Sequence, residues 1–371
     1  VGASSAAAVP GDFDVVASGL NNPRHLTFTG GGTLLVAESG TGGDGPCIMS
    51  SEGSQVCYGD TGSITKVTGG HHGWEQSRVV TGLPSLAPPA DNPESGAMKG
   101  GSATGPSDVD VLFGNRYVVS VGLGAPPSAR DQGAATEGPE SSTAATLPPG
   151  FGTLLLTGDH RGLPWWWHHS GNEFRVLADI AGHEAATNPV DGPDSNPSSL
   201  LRVGGRFVVA DAGGNTVVAA TLFGRTSTVA SFPDQLVAAP GGGMMPMQAV
   251  PTSVARYRGQ LYVSQLTGFP FPQGGATIWR LDSHGPATAY APGLTNVTDL
   301  AFARDGSLYA VEISTAGLAS GGAPIGALVR IPRGGGEPQV VAGGLFAPYG
   351  VALRGHDAYV TTGSVLPGGG E

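Results

Sequence analysis

The residues of this sequence able to do chemistry stand at fixed offsets from a repeated proline or valine (Pro23, Pro106, Pro197, Pro251, Val297 and Pro348). Two positions beyond it come His25, Asp108, Ser199, Ser253, Asp299 and Gly350, and one position before it Asn22, Gly105, Asn196, Val250, Asn296 and Ala347. Further along each copy come Glu38, Val121, Asp211, Gln265, Glu312 and Thr362. Acids and amides gathered in this way suit a hard cation, which takes several oxygen ligands. A histidine or acid beside them moves protons in general acid–base chemistry. The candidates for catalysis are therefore His25, Glu38 and Ser253. The ligand-binding candidates are Asn22, His25, Glu38, Asp211, Gln265, Glu312 and Tyr349. The plainer alternative is that these groups cap strand ends and turn amides, as Asp and Asn commonly do.

The elements that position these residues read as hairpins. Asn22–Glu38 (NPRHLTFTGGGTLLVAE) is one copy, and Pro106–Val121, Asn196–Asp211, Pro251–Gln265, Asn296–Glu312 and Pro348–Thr362 repeat its pattern. Each is two short apolar runs joined by a tight turn with Gly, Asp-Gly or His-Asp. Two more strand-like runs follow most copies, which predicts four-stranded blades of a β-propeller. Six copies predict six blades. The last copy lacks a fourth strand, and the run Asp12–Leu20 resembles the fourth strands elsewhere. It is therefore expected to complete the C-terminal blade and close the ring, leaving no open sheet edge. The expected organisation is a flexible mature N-terminus over residues 1–11 and one all-β domain over 12–371. The long insertions leave second strands or precede first strands, so they crowd one face, where the ligand is expected.

Composition agrees with this reading. The chain has 371 residues with 63 Gly and 30 Pro, which interrupt almost every window long enough for a helix. At 39% hydrophobic it still has the material for a core. A net charge of −11 argues against nucleic acid as a partner. No apolar run reaches the roughly 18 to 20 residues that span a bilayer. Cys47 and Cys57 lie ten apart in a Gly/Ser-rich loop and are expected to form a disulfide. With the small-residue start at Val1, that reads as a secreted protein whose signal peptide has been removed.

Several longer phrases, LLVAESGTGGDGPC with VCYGDTGSITKV, ADIAGHEAATNP with DSNPSSL, QAVPTSVA with LYVSQLTGFPFP, and NVTDLAFARDGSLYAVE, resemble the ScyD/ScyE family of exported bacterial propeller proteins. The resemblance runs from about Asp12 to the C-terminus and implies a six-bladed propeller without a settled activity. More distantly the chain is similar to the NHL, SMP-30/gluconolactonase and strictosidine-synthase-like propellers. Gluconolactonase-like propellers hold a metal where the first strands begin, and Asp108, Asn196 and Asp299 occupy that place here. They are the metal candidates, for Ca2+ or another divalent cation. The run Trp165–His169 (WWWHH) departs from the family; its tryptophans would stack on a carbohydrate-like ligand or a protein partner.

Other motifs fail on their context. Gly40–Gly45 satisfies GxGxxG, but Pro46 and a cysteine loop follow it instead of a helix, so no nucleotide cofactor is expected. There is no GxSxG elbow, and His183-Glu184 has no second histidine to make HExxH. The loop carrying Glu184, Asn188, Asp191, Asp194 and Asn196 has oxygen donors around a glycine but lacks EF-hand order. The leading expectation is a ligand, with or without a divalent cation, bound at the loop-rich mouth. A metal-dependent hydrolase of the lactonase or esterase class using the same mouth is the alternative. A third reading is an interaction scaffold using Trp165–Trp167 or Met244–Met247.

Overall fold

A computed structural model describes residues 13–70, 73–92, 96–130, 146–159, 174–187, 192–282 and 286–371. The chain is all-β apart from short helices. The first blade contains β1 (Pro23–Phe28), β2 (Leu34–Glu38), β3 (Cys47–Met49), β4 (Gln55–Gly70) and β5 (Gly73–Ala87). The second runs β6 (Pro106–Phe113), β7 (Arg116–Val121), β8 (Thr153–Gly158) and β9 (Phe174–Asp179), followed by helix α1 (Ile180–Thr187). The third is β10 (Pro197–Val203), β11 (Arg206–Asp211), β12 (Thr216–Thr221) and β13 (Thr226–Ser231). A separate hairpin, β14 (Gln235–Ala238) with β15 (Met244–Met247), precedes the fourth blade. That blade is β16 (Pro251–Tyr257), β17 (Gln260–Gln265), β18 (Ala276–Leu281) and β19 (Thr288–Leu294). The fifth is β20 (Val297–Phe302), β21 (Leu308–Glu312), β22 (Ile325–Ile331) and β23 (Gln339–Phe346).

The fold is thus a β-propeller of five blades, and the expectation of six is corrected. The sixth copy of the repeat forms only a two-stranded hairpin, β24 (Val351–Arg354) with β25 (Asp357–Val360). Among the described residues nothing supplies its third and fourth strands. The N-terminal run predicted to pair there makes no strand over residues 13–19 and meets the C-terminal end at one antiparallel bridge, Leu20 with Gly370. Side chains of β5 capture its backbone: Gln76 bonds both the N–H and the carbonyl of Ser18, and Arg78 donates to the carbonyl of Gly19. Those groups are then not free for a ladder. The residues beyond β25 include Pro367-Gly-Gly-Gly, a poor strand former.

The hairpin nonetheless has a place in the ring. β1 packs against β6, β6 against β10, β10 against β16, β16 against β20, β20 against β24, and β24 against β1. Six inner strands therefore surround one channel, five of them leading blades. Blade strands are buried on both faces, so they read as near-continuous apolar runs. Successive residues serve opposite neighbours: Val119 and Leu155 pack with Leu35 and Ile64 of the first blade, while Val118, Leu154 and Leu156 pack with Phe207 and Val209 of the third. Ala17, Leu20, Leu26, Val36 and Ala352 fill the seam between the hairpin and the first blade.

Cys47 and Cys57 are disulfide-bonded and sit directly opposite each other on β3 and β4, so the predicted bridge is present. Gly350 lets the terminal hairpin lie close to β1. A Cβ there would stand 2.6 Å from the Arg24 carbonyl oxygen and 2.7 Å from Leu26 Cδ2. Gly350→Ala is expected to cost about 1–3 kcal/mol by overpacking and to lower the thermal midpoint, whereas alanine at the open Gly205 has nothing within 4 Å to meet.

Candidate functional site

Each inner strand is the edge of its sheet, so alternate N–H and C=O groups face away from the ladder and, being buried, require other partners. The neighbouring unit supplies them at every junction of the ring. Ser39 Oγ donates to the Pro106 carbonyl (3.0 Å) and Ser107 Oγ to that of Pro197 (2.8 Å). Thr252 Oγ1 donates to the Val297 carbonyl (2.7 Å), Thr298 Oγ1 to that of Tyr349, and Thr361 Oγ1 to that of Arg24 (2.8 Å). Amides are served in the same way. Leu200 N–H donates to Asp108 Oδ2 (2.8 Å), Val254 N–H to Ser199 Oγ (3.0 Å), and Val351 N–H to Asp299 Oδ2 (2.8 Å). In five of the six copies, all but that of Pro348, a bulge between the leading Pro or Val and the strand proper aims these side chains inward.

Below this belt lies a cavity of about 490 Å³ walled by the inner strands, with His25, Asp108, Ser253 and Asp299 among its polar lining. Asp108 on β6 and Asp299 on β20 come from opposite strands of the ring. His25 places Nε2 3.7 Å from Asp299 Oδ1. Its Nδ1 lies 2.9 Å from the Ser107 carbonyl oxygen and its Nε2 3.3 Å from that of Thr298. Burial pushes the Asp108 carboxyl up to about 7, with His25 acting against the rise and Asp299 adding to it. Asp299 is raised by burial too, against the pull of His25 and the hydrogen bond from Ser253.

The cavity is closed toward the loop-rich face. Tyr349 reaches across the ring from the approach to β24, its hydroxyl 3.3 Å from Ser198 Oγ on β10. Its ring lies under the Arg24 guanidinium (4.6 Å to the centroid) and meets His25 edge-on (5.1 Å). At the other end the walls become exposed, through Thr27, Phe28, Leu353 and an Arg202–Asp110 ion pair of 3.2 Å. The opening is on the face of tight turns.

The structure divides the sequence-derived candidates into two groups. His25, Asp108, Ser253 and Asp299 converge on the cavity, with Tyr349 above it. The second-strand ends do not. Glu38 is fully buried and accepts from the Asn21 N–H, Ser63, Thr65 and both Nε and Nη2 of Arg78. Burial works to raise its pKa, but the bonds from Arg78, Thr65 and Asn21 outweigh that and hold the carboxyl below its usual value. Asp211, pushed up to about 6 by burial, accepts from the Asn196 N–H and Ser195 Oγ. Glu312, also raised by burial, accepts from the Thr295 N–H, and Gln265 from that of Thr277. Asn22 and Asn296 donate from Nδ2 to loop carbonyls, of Gly40 and Gly100 and of Leu266 respectively. Asn196 lies beside Asp211, outside the cavity lining. Trp165–His169, Asn188 and Asp191 lie outside the described residues.

Sequence reasoning did not single out the hydroxyls of Ser39, Ser107, Thr252, Thr298 and Thr361. A signal was present, because Ser or Thr follows the leading residue in four of the six copies (Ser107, Ser198, Thr252 and Thr298). Among the described residues no group of three or more His, Cys, Asp and Glu side chains is gathered to hold a metal. The cavity does not fit Ca2+, which takes six to eight oxygens. Its two carboxylates offer four oxygens, short of that number, and share the space with a histidine. Ser253 is not paired with the imidazole: it donates to Asp299 Oδ1 (2.6 Å).

Fold and site together define a closed β-propeller with a polar-walled central cavity. No protein-family model matches the sequence, and no curated protein matches it either. Among solved structures, the chain is similar to a catalytically inactive virginiamycin B lyase from Staphylococcus aureus with quinupristin (10% identity, 95% of each chain, TM-score 0.46). It is also similar to a streptogramin B lyase (11% identity, 95% of this chain and 93% of that one, TM-score 0.43). A third likeness is to a nidogen/laminin complex (12% identity, 83% of this chain and 84% of that one, TM-score 0.43). At these levels the likenesses carry no argument about activity. No helix among the described residues is long and apolar enough to cross a membrane.

Two outcomes test the division of roles. Glu38→Ala leaves five donors without their acceptor, the hydroxyls of Ser63 and Thr65 buried, and is expected to cost about 3 kcal/mol or more, read by chemical unfolding. For Asp108 the folded pKa of about 7 exceeds the unfolded value of 3.8. The native state therefore holds the proton longer, and this contribution to stability is complete below pH 3.8 and is lost as pH rises toward 7. Asp108→Asn is expected to flatten that part of the stability-against-pH curve; an unchanged slope would show that Asp108 does not carry it.

Proposed function

We propose that this chain is an exported propeller of the ScyD/ScyE family that binds a small polar ligand in its central cavity, reached from the face of tight turns. The observation that carries the reading is the cavity itself: about 490 Å³, within the usual range for small-molecule sites, with His25, Asp108, Ser253 and Asp299 among its lining. The loop-rich mouth, expected from sequence to hold the ligand, is occupied by the Tyr349–Arg24 layer. Family membership rests on the phrases quoted above. Export rests on the Cys47–Cys57 disulfide, since such bonds persist in oxidising compartments. A hydrolase reading draws no support from Ser253 or from the donor set of the cavity. A protein partner has one feature in its favour, the β14–β15 hairpin, which exposes Leu236 and Met244.

A fragment library of mixed charge, screened by ligand-detected NMR against the full chain and its Thr27→Trp variant, tests the reading. Thr27 lines the cavity, and tryptophan there fills it. Hits lost in the variant are expected. An absence of hits, or hits indifferent to the variant, would refute cavity binding.

A further inference from the structure

Resting on the cavity-binding reading, the inference concerns which ligands the cavity takes. Its polar end carries two carboxylates, Asp108 and Asp299, on opposite strands, against one imidazole, His25. The remaining charged residues of the lining, Asp110 and Arg202, pair with each other at the rim and cancel. The acids are therefore in excess at the closed end. Each is nine-tenths buried or more, at 8% and 5% exposed, yet each faces the cavity. Each is also held by backbone: Asp108 by the Val109 and Leu200 N–H groups, Asp299 by those of Leu300 and Val351. Such carboxylates are preorganised and lose little freedom when a ligand arrives. Carboxylate oxygens have lone pairs beyond one bond each. Toward the opening the walls turn apolar, with Leu201, Leu353 and Phe28.

We propose that the cavity takes a small organic cation, a primary ammonium on an apolar body. The ammonium sits between Asp108 and Asp299 and donates to both, while the body lies along Leu201, Leu353 and Phe28. An ammonium suits this site where Ca2+ does not, because it brings three donors and needs only three acceptors. His25 stands against only one of the two acids, so a neutral ligand would leave the other without a charge partner, and an anion would meet the excess of acid.

The groups facing Asp108 are His25 from β1, Asp299 from β20 and the Leu200 N–H from β10, with the Asp110–Arg202 pair further out. A proton on Asp108 competes with the ligand's charge, so acidification should weaken binding. Calorimetric titration of the full chain with benzylamine, benzyl alcohol and benzoate, three probes of one size, tests the class. At pH 8 benzylamine is expected to bind at least tenfold more tightly than benzyl alcohol, and benzoate not at all. Between pH 8 and pH 5 the benzylamine affinity is expected to fall at least tenfold. Thr27→Trp, or Ala301→Phe on another wall should the first variant not fold, is expected to abolish it. Benzyl alcohol or benzoate binding as tightly as the amine, and lost in the same variants, would overturn the cationic class while leaving cavity binding intact. Failure of benzylamine to bind, or binding unchanged by pH or by both variants, would overturn the proposal; the mixed-charge screen then decides separately whether the cavity binds anything.

Discussion

The architecture depends on how the inner strand edges are satisfied. A strand beside an open channel presents unpaired N–H and C=O groups, and burying them without partners is costly. Here a Ser or Thr hydroxyl, an Asp carboxylate or the serine at the ring position reaches forward from each unit to the backbone of the next. The last unit reaches Arg24 on β1 through Thr361, so the series of bonds closes on itself. Apolar seams between the blades do most of the packing, but they are non-directional. The hydrogen-bonded belt fixes the register of one blade against another.

This explains why the terminal hairpin suffices where a full blade would stand elsewhere. β24 has the one strand that the ring requires, and it takes part in the belt through Val351 and Tyr349. Gly350 lets it lie against β1 without a clash. The N- and C-terminal segments meet at the Leu20–Gly370 bridge and at a bond from the Asn22 N–H to the Leu366 carbonyl, while Gln76 and Arg78 fasten the N-terminal segment to the first blade.

The same side chains serve structure and chemistry. Asp108 and Asp299 hold amides of neighbouring strands and also supply the charge at the closed end of the cavity. The backbone bonds keep them oriented, and burial keeps their protons nearer to neutrality than an exposed aspartate would. Glu38, by contrast, spends its carboxylate on five donors and lies outside that lining. Offsets in a repeat identify both kinds of residue equally well, and only their surroundings distinguish a strut from a site.

What the sequence determined by itself was local and periodic. The hairpins at Pro23, Pro106, Pro197, Pro251, Val297 and Pro348 were legible because alternation and tight turns are properties of short segments. The Cys47–Cys57 bridge was legible from their closeness in the chain. His25, Asp108, Ser253 and Asp299 stood out as a recurring position, although nothing in the spacing separated them from Glu38 or Asp211. Tertiary structure decided the number of blades, because pairing at the ends of the chain depends on which partner holds the backbone of Ser18 and Gly19. It also decided which face opens to solvent, because Tyr349 meets Ser198 only across the closed ring, 151 residues away in sequence. Contacts between residues that distant follow from how the whole ring closes, and no local pattern encodes them.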